Sequence, residues 1–141
     1  MKKNYFSLLL ITLVGVFLFT ACGGGGGSTD PSATDLLTAK TWTISSVIDE
    51  TNSNTDVTSS FSGKTANFNS DNTYTHNLGS TTETGTYTFG GETLSLVPSS
   101  GTPFAATFSN VSVSESQLTF KVTVTNSKTG DVTYAVTMAG S

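Results

Sequence analysis

From Lys40 to the end of the chain, apolar and polar residues alternate with a period of two, interrupted at short intervals by Gly, Asn, Asp and Pro. Period two puts successive side chains on opposite faces of an extended strand, so the pattern calls for sheet with one oily face. Gln117–Thr125 (QLTFKVTVT) is the cleanest case. Leu118, Phe120, Val122 and Val124 share one face, and Thr119, Lys121, Thr123 and Thr125 the other. Asp131–Ala139 (DVTYAVTMA) repeats the pattern with Val132, Tyr134, Val136 and Met138. The intervening NSKTG reads as the turn of a hairpin.

Six further segments follow the same rule. Thr41–Ile48 carries Trp42, Ile44 and Ile48 on one side, and Lys64–Asn69 aligns Lys64, Ala66 and Phe68. Thr73–Leu78 aligns Tyr74, His76 and Leu78, Thr84–Phe89 aligns Gly85, Tyr87 and Phe89, and Thr93–Val97 points Leu94 and Leu96 one way. In Phe104–Ser114 the apolar parity changes between Phe108 and Val111, which predicts a β-bulge near Ser109–Asn110. Asp35–Ala39 alone reads as helical, with Thr34 as its cap. Threonine and serine make up a third of the chain, and β-branched threonine suits a half-wet pleated surface. Eight serial strands with short connections predict an all-β fold: an eight-stranded antiparallel up-and-down barrel, which removes sheet edges, with a two-sheet β-sandwich as the alternative. Trp42 is the expected floor, closing one end beneath Leu36 and Leu37.

The N-terminal segment obeys different physics. Lys2 and Lys3 precede a 14-residue apolar run, Phe6–Phe19, followed by the small residues Thr20 and Ala21 and then Cys22. These are the parts of an export signal, and the run is short of the ~20 residues that a spanning helix needs. Phe19-Thr20-Ala21-Cys22 resembles the bacterial lipobox, which implies cleavage before a Cys22 that carries acyl chains. Simple secretion, with cleavage after Gly23, is the other reading. Cys22 is the one cysteine, so no intramolecular disulfide can form, and acylation gives this lone thiol a purpose. Gly23–Gly27 and the polar residues to Thr34 then form a leash, about 17–20 Å from end to end over a dozen residues. The expected organisation is a signal peptide at 1–21, a tether at 22–34 and one β domain at 35–141.

Once residues 1–21 are removed, four lysines face ten acids, a net charge of −6, and there is no arginine. Phosphate backbones demand positive charge, so nucleic acid is not an expected partner. Membrane residence would come from acyl chains on Cys22 rather than from basic residues. The expected location is the bacterial cell envelope, lipid-anchored, with the outer membrane facing the periplasm favoured because no acidic or lysine-containing sorting signal follows Cys22. A monomer is expected.

Leu36-Leu37 with Trp42-Thr43-Ile44, then Phe68-Asn69-Ser70-Asp71-Asn72-Thr73-Tyr74, then Thr84-Gly85-Thr86-Tyr87 resembles the lipocalin-like domain of bacterial lipoproteins. That family joins an LxxxxW start to an FxxDGxY hairpin and a TGxY strand, and Asn72, which accepts left-handed geometry, stands where the hairpin glycine would be. The resemblance implies a barrel interior able to take an apolar or amphiphilic small molecule. The candidate lining is Trp42, Phe68 and Tyr74, with Tyr87, Phe89 and Phe108, and then Phe120 and Tyr134. Phe104 belongs to the same apolar set. The competing reading is that these side chains simply fill the interior, as in most small barrels.

His76, the single histidine, falls on the apolar face, where it would either meet a ligand or be satisfied by a backbone group. One histidine, no arginine and no thiol besides Cys22 make a thin catalytic inventory, so neither enzymatic activity nor a cofactor is expected. Glu50, Asn52, Asn54 and Asp56 space oxygens as calcium loops do, but the central glycine and closing glutamate are missing, so no metal is expected. The second functional expectation is a non-catalytic interaction or inhibitor module working through its outer surface and loops 49–60 and 98–103.

Overall fold

The computed structural model describes residues 30–127 and 130–141. The leader, Cys22 and the glycine run lie outside the described residues. A short helix, α1 (Ala33–Thr38), leads into nine strands: β1 (Thr41–Asp49), β2 (Thr55–Asp56), β3 (Thr65–Phe68), β4 (Thr73–His76), β5 (Glu83–Gly90), β6 (Thr93–Pro98), β7 (Thr107–Val113), β8 (Gln117–Asn126) and β9 (Gly130–Gly140). A 3₁₀ turn at Thr58–Phe61 lies between β2 and β3.

All pairings are antiparallel. From β3 to β9 each strand pairs with the next, β1 pairs with β3, and β9 returns to β1 from Trp42↔Gly140 to Asp49↔Tyr134. That last ladder closes the sheet into an eight-stranded barrel and removes the sandwich alternative. The ninth strand, β2, was not foreseen. It is two exposed residues hanging on the far end of β1 through Ile48↔Asp56 and Asp49↔Thr55, and no apolar pattern could announce it.

Two bulges adjust the alternation. In β7 the register shifts between Ser109 and Ser112, with Asn110 at φ 51°, so Phe108 and Val111 both reach the interior. In β1 a second shift leaves Ser45 unmatched between Ile44 and Ser46. It flips the parity, so that Val47 and Asp49 are buried rather than Ile48, against the expectation for this strand. β7 also begins at Thr107, three residues later than expected, because the amide of Phe104 bonds the Glu83 carboxylate instead of a strand. At α1 the cap is Ser32, not Thr34. Ser32 Oγ accepts from Asp35 N at 3.1 Å, while the Asp35 carboxylate accepts from Ser32 N, a reciprocal box.

The two ends of the barrel differ. At one end α1 packs on β3 and β7, and the fully buried Trp42 indole donates from Nε1 to the Leu37 carbonyl at 2.9 Å. Trp42 lies across Gly140, where a Cβ would sit 3.0 Å from the ring and 2.6 Å from the Lys40 stem. Gly85 does the same for Tyr74, since a Cβ there would meet the ring at 2.9 Å and the Val97 carbonyl at 2.1 Å. Between the ends, Phe108 stacks on Phe120 at 4.4 Å, and Phe68 meets Tyr87 edge-on at 5.3 Å. Such pairs contribute about 0.5–1.5 kcal/mol each beyond area burial. Trp42→Ala should therefore cost ~3–5 kcal/mol in thermal or urea unfolding, and an unaltered transition would remove Trp42 from its place as the floor.

Candidate functional site

The end opposite α1 is closed by loops. β4 runs into residues 77–82, β6 into 99–106, and β1 reaches β3 through β2 and the 3₁₀ turn. From these loops Leu78, Phe104 and Phe61 turn inward over a small void of about 10 Å³, walled by Ile44, Phe120, Val122, Tyr134 and Val136. That volume is at the lower limit for one water, and the lining is apolar. Phe61 meets Tyr134 edge-on at 5.5 Å. Above Phe104 an open depression of about 280 Å³ runs between the two loops, bordered by Gly79, Thr81, Glu83, Thr102 and Val124. Phe104 borders both the depression and the void. Larger hollows of about 560 and 540 Å³ are shallow dishes on the threonine-rich outside, over Thr73, Thr86 and Val97 and over Thr107, Ser109 and Thr123.

Beside Phe104 lies the polar cluster of this end. His76 on β4 is 2 % exposed, and neither ring nitrogen has a hydrogen-bond partner. Its Nε2 stands 3.6 Å from Glu83 Oε1, too far for a hydrogen bond. The imidazole stacks on Tyr74 with centroids 5.3 Å apart and has Phe104 edge-on at 6.2 Å. Glu83, opposite His76 at the start of β5, is otherwise engaged: Oε1 accepts from the Tyr74 hydroxyl, and Oε2 from Phe104 N at 2.7 Å. On the rim, Lys64 Nζ donates to the Gly79 carbonyl. A buried polar group left unpaired costs about 1–3 kcal/mol, so this imidazole is an anomaly in an otherwise apolar interior.

Burial pushes the His76 pKa below its ordinary 6.5, and the Glu83 charge opposes that only in part. Burial, then the bond to Glu83, pushes the Tyr74 hydroxyl well above the usual tyrosine range, so it stays a donor.

The candidate residues divide into two sets. Trp42, Phe68, Tyr74, Tyr87, Phe108 and Phe120 are buried, as is His76, while Phe89 and Tyr134 are half-buried against the same core. Trp42, Phe68 and Tyr87 serve the α1 end: the Tyr87 hydroxyl donates to the Asn69 carbonyl of the β3–β4 turn at 2.9 Å. Tyr74, His76, Phe108, Phe120 and Tyr134 surround the loop end. Glu83 and Phe61 were missed. The alternation gave a signal for Glu83, which shares parity with Gly85, Tyr87 and Phe89. Phe61, in a loop, gave none. The oxygens of 49–56 are engaged within the chain: Asp49 accepts from Thr51 N and Asn52 N, both at 3.0 Å, Asp56 accepts from Thr58 N at 2.9 Å, and the Glu50 carboxylate pairs with Lys121 Nζ on β8 at 2.8 Å. Among the described residues no three His, Cys, Asp or Glu side chains converge.

The family model of the lipocalin-like domain matches residues 38–120, more than half of the sequence, and the chain belongs to that family. No curated protein matches it.

The sign of the pH effect follows from His76. In the window below 6.5 the unfolded chain holds the extra proton, so stability rises with pH there and is lost as pH falls. Asp35, Asp56 and Asp71 are lowered by hydrogen bonds to Ser32, Thr58 and Thr73 and add their loss only below about 3.8. The melting temperature should fall between about pH 7 and pH 5, and His76→Phe should flatten that slope. An NMR titration midpoint for this lone histidine above 6.5 would contradict the assignment.

Proposed function

We propose that this chain is an acylated, non-catalytic binding protein of the bacterial cell envelope, whose barrel takes up one small apolar or amphiphilic molecule at the Phe104 end. The observation that carries the reading is the position of Phe104. It borders both an open depression and an apolar void, and it is set on a loop rather than in a strand. At Phe104 itself the backbone N–H is held by one hydrogen bond to a side chain, Glu83, while the sheet ties the loop near its two ends, Ser99 N to Thr84 O and Leu96 N to Ala106 O. Side chains on irregular connections move at lower cost than those in paired strands. At the opposite end Trp42 and the α1 residue Leu37 are fully buried.

Asp30–Ser32 lead into α1, so the proposed tether would join the domain at the end opposite Phe104. That arrangement suits a ligand arriving from the aqueous side of an outer membrane that faces the periplasm. The outer-surface interaction reading has less to rest on: among the described residues, Val97 at 63 % is the exposed large apolar side chain, with no aromatic patch around it.

Two measurements test the parts separately. Cys22→Ser should abolish acyl labelling and release the protein from the membrane fraction, whereas unchanged labelling removes the anchor. For the interior, toluene added to the methyl-labelled full chain in phospholipid nanodiscs should shift the Ile44, Leu78, Val122 and Val136 methyl signals saturably. Phe104→Ala, which widens the void to on the order of 100 Å³, should bind it more tightly. No saturable shift in wild type, Phe104→Ala or Phe104→Leu would overturn the reading.

A further inference from the structure

His76 is 2 % exposed, with both ring nitrogens unpaired, and the Phe104 ring that borders the void stands edge-on to it at 6.2 Å. Moving the Phe104 segment outward, ring and backbone together, would uncover the side of the imidazole that this ring covers and withdraw the Phe104 amide from Glu83 Oε2, leaving that oxygen free to accept. The buried space so made is one benzyl ring plus about 10 Å³, walled on the inner side by Phe120 and open on the outer side to the depression. Its buried part holds a single ring.

The polar groups select further. A neutral imidazole presents one N–H and one bare nitrogen, and the released carboxylate presents an acceptor. A hydroxyl answers both kinds of group, because it donates and accepts. An anionic head set against His76 would lie beside the Glu83 carboxylate, 3.6 Å from Nε2. Lys64, the cation on this rim whose side chain reaches Gly79, is engaged with the Gly79 carbonyl. A wholly apolar ring would leave the imidazole as unpaired as it is now.

Building on the binding reading above, we propose that His76 is the polar anchor of the ligand site, and that the ligand class is a neutral hydroxylated ring of phenol size. The ligand ring takes the place of the Phe104 ring, and its hydroxyl bridges His76 and Glu83.

Because His76 is the single histidine, its imidazole ¹⁵N signals report on this site alone. The full chain, labelled with ¹⁵N-histidine and held in nanodiscs, is titrated with phenol, benzoate and toluene. Phenol should shift the imidazole signals saturably and bind about tenfold or more tighter than either comparator, as expected for a site whose buried polar groups need a hydroxyl. His76→Phe, whose ring preserves the stack on Tyr74, should keep the toluene-induced methyl shifts and lose the preference for phenol. Phe104→Ala should strengthen phenol binding without changing the order of the three probes. If toluene binds but phenol is no tighter, or benzoate equals phenol, the His76 anchor is wrong while the binding reading survives. If no probe shifts either the methyl or the imidazole signals, both fall.

Discussion

The ladder between β1 and β9 is the contact on which the rest depends. Without it the sheet would have two open edges, β1 and β9, each offering unpaired backbone groups to solvent or to another chain. With it every strand of the barrel has two neighbours, and a face becomes an inside. The ladder runs the length of β1, from Trp42 to Asp49, and tolerates the extra residue Ser45 because the Ser45 hydroxyl bonds the Thr137 carbonyl at 3.1 Å. The bulge sharpens the local turn of β1 and allows its other edge to be shared, β3 on the first half and β2 on the last two residues. Closure thus comes from the first and last strands of the domain, which are its most distant parts in sequence.

Closure also creates two ends, and they are sealed by different means. At the α1 end an indole, a helix and a glycine cradle form one block, with the indole N–H satisfied. At the other end the seal is made of side chains from connections: Leu78, Phe104 and Phe61. There the backbone between β6 and β7 bonds little of the sheet. Leu96 N reaches the Ala106 carbonyl at 2.8 Å, and Phe104 N goes to Glu83. Small barrels are filled by their own side chains, and the void at this end is only about 10 Å³. A ring-sized ligand there would have to replace a protein side chain, so the seal would decide what that space can take.

Much of this was legible in the alternation and some of it could not be. Strand identity, the β8–β9 hairpin, the β7 bulge and the burial of Trp42, Tyr74, Leu118 and Val136 all follow from period-two parity, because burying one face of a closed sheet enforces the pattern residue by residue. The Ser45 bulge escaped notice because Ser45 and Ser46 carry no apolar signal, and Ile48 looked a better core residue than the buried Val47. β2 escaped because two exposed residues need no pattern. Phe104 looked like the first residue of β7, and only the competition for its amide, won by Glu83, takes it out of the sheet. Whether aromatic residues line a pocket or fill one was undecidable from sequence, since it turns on how rings interlock within an ångström.

Two buried polar side chains occupy this interior, and the contrast between them separates architecture from function. Asp49, 7 % exposed, is explained by the fold: its carboxylate accepts from Thr51 N, Asn52 N and Asn52 Nδ2, the last at 2.6 Å, and so organises the loop that carries β2. Both carboxylate oxygens have donors from the chain itself, which is what a structural polar group requires. His76 meets no such account. A leucine or phenylalanine there would stack on Tyr74 and Phe104 as well and would leave nothing unpaired, so packing gives no reason for an imidazole. Its neighbours Glu83 and Tyr74 satisfy each other and the Phe104 amide, leaving both imidazole nitrogens out of the network they surround. A group that weakens the folded state at rest, beside a loop residue whose own N–H is held by one hydrogen bond to Glu83, is what the proposed ligand would pair once that residue moves.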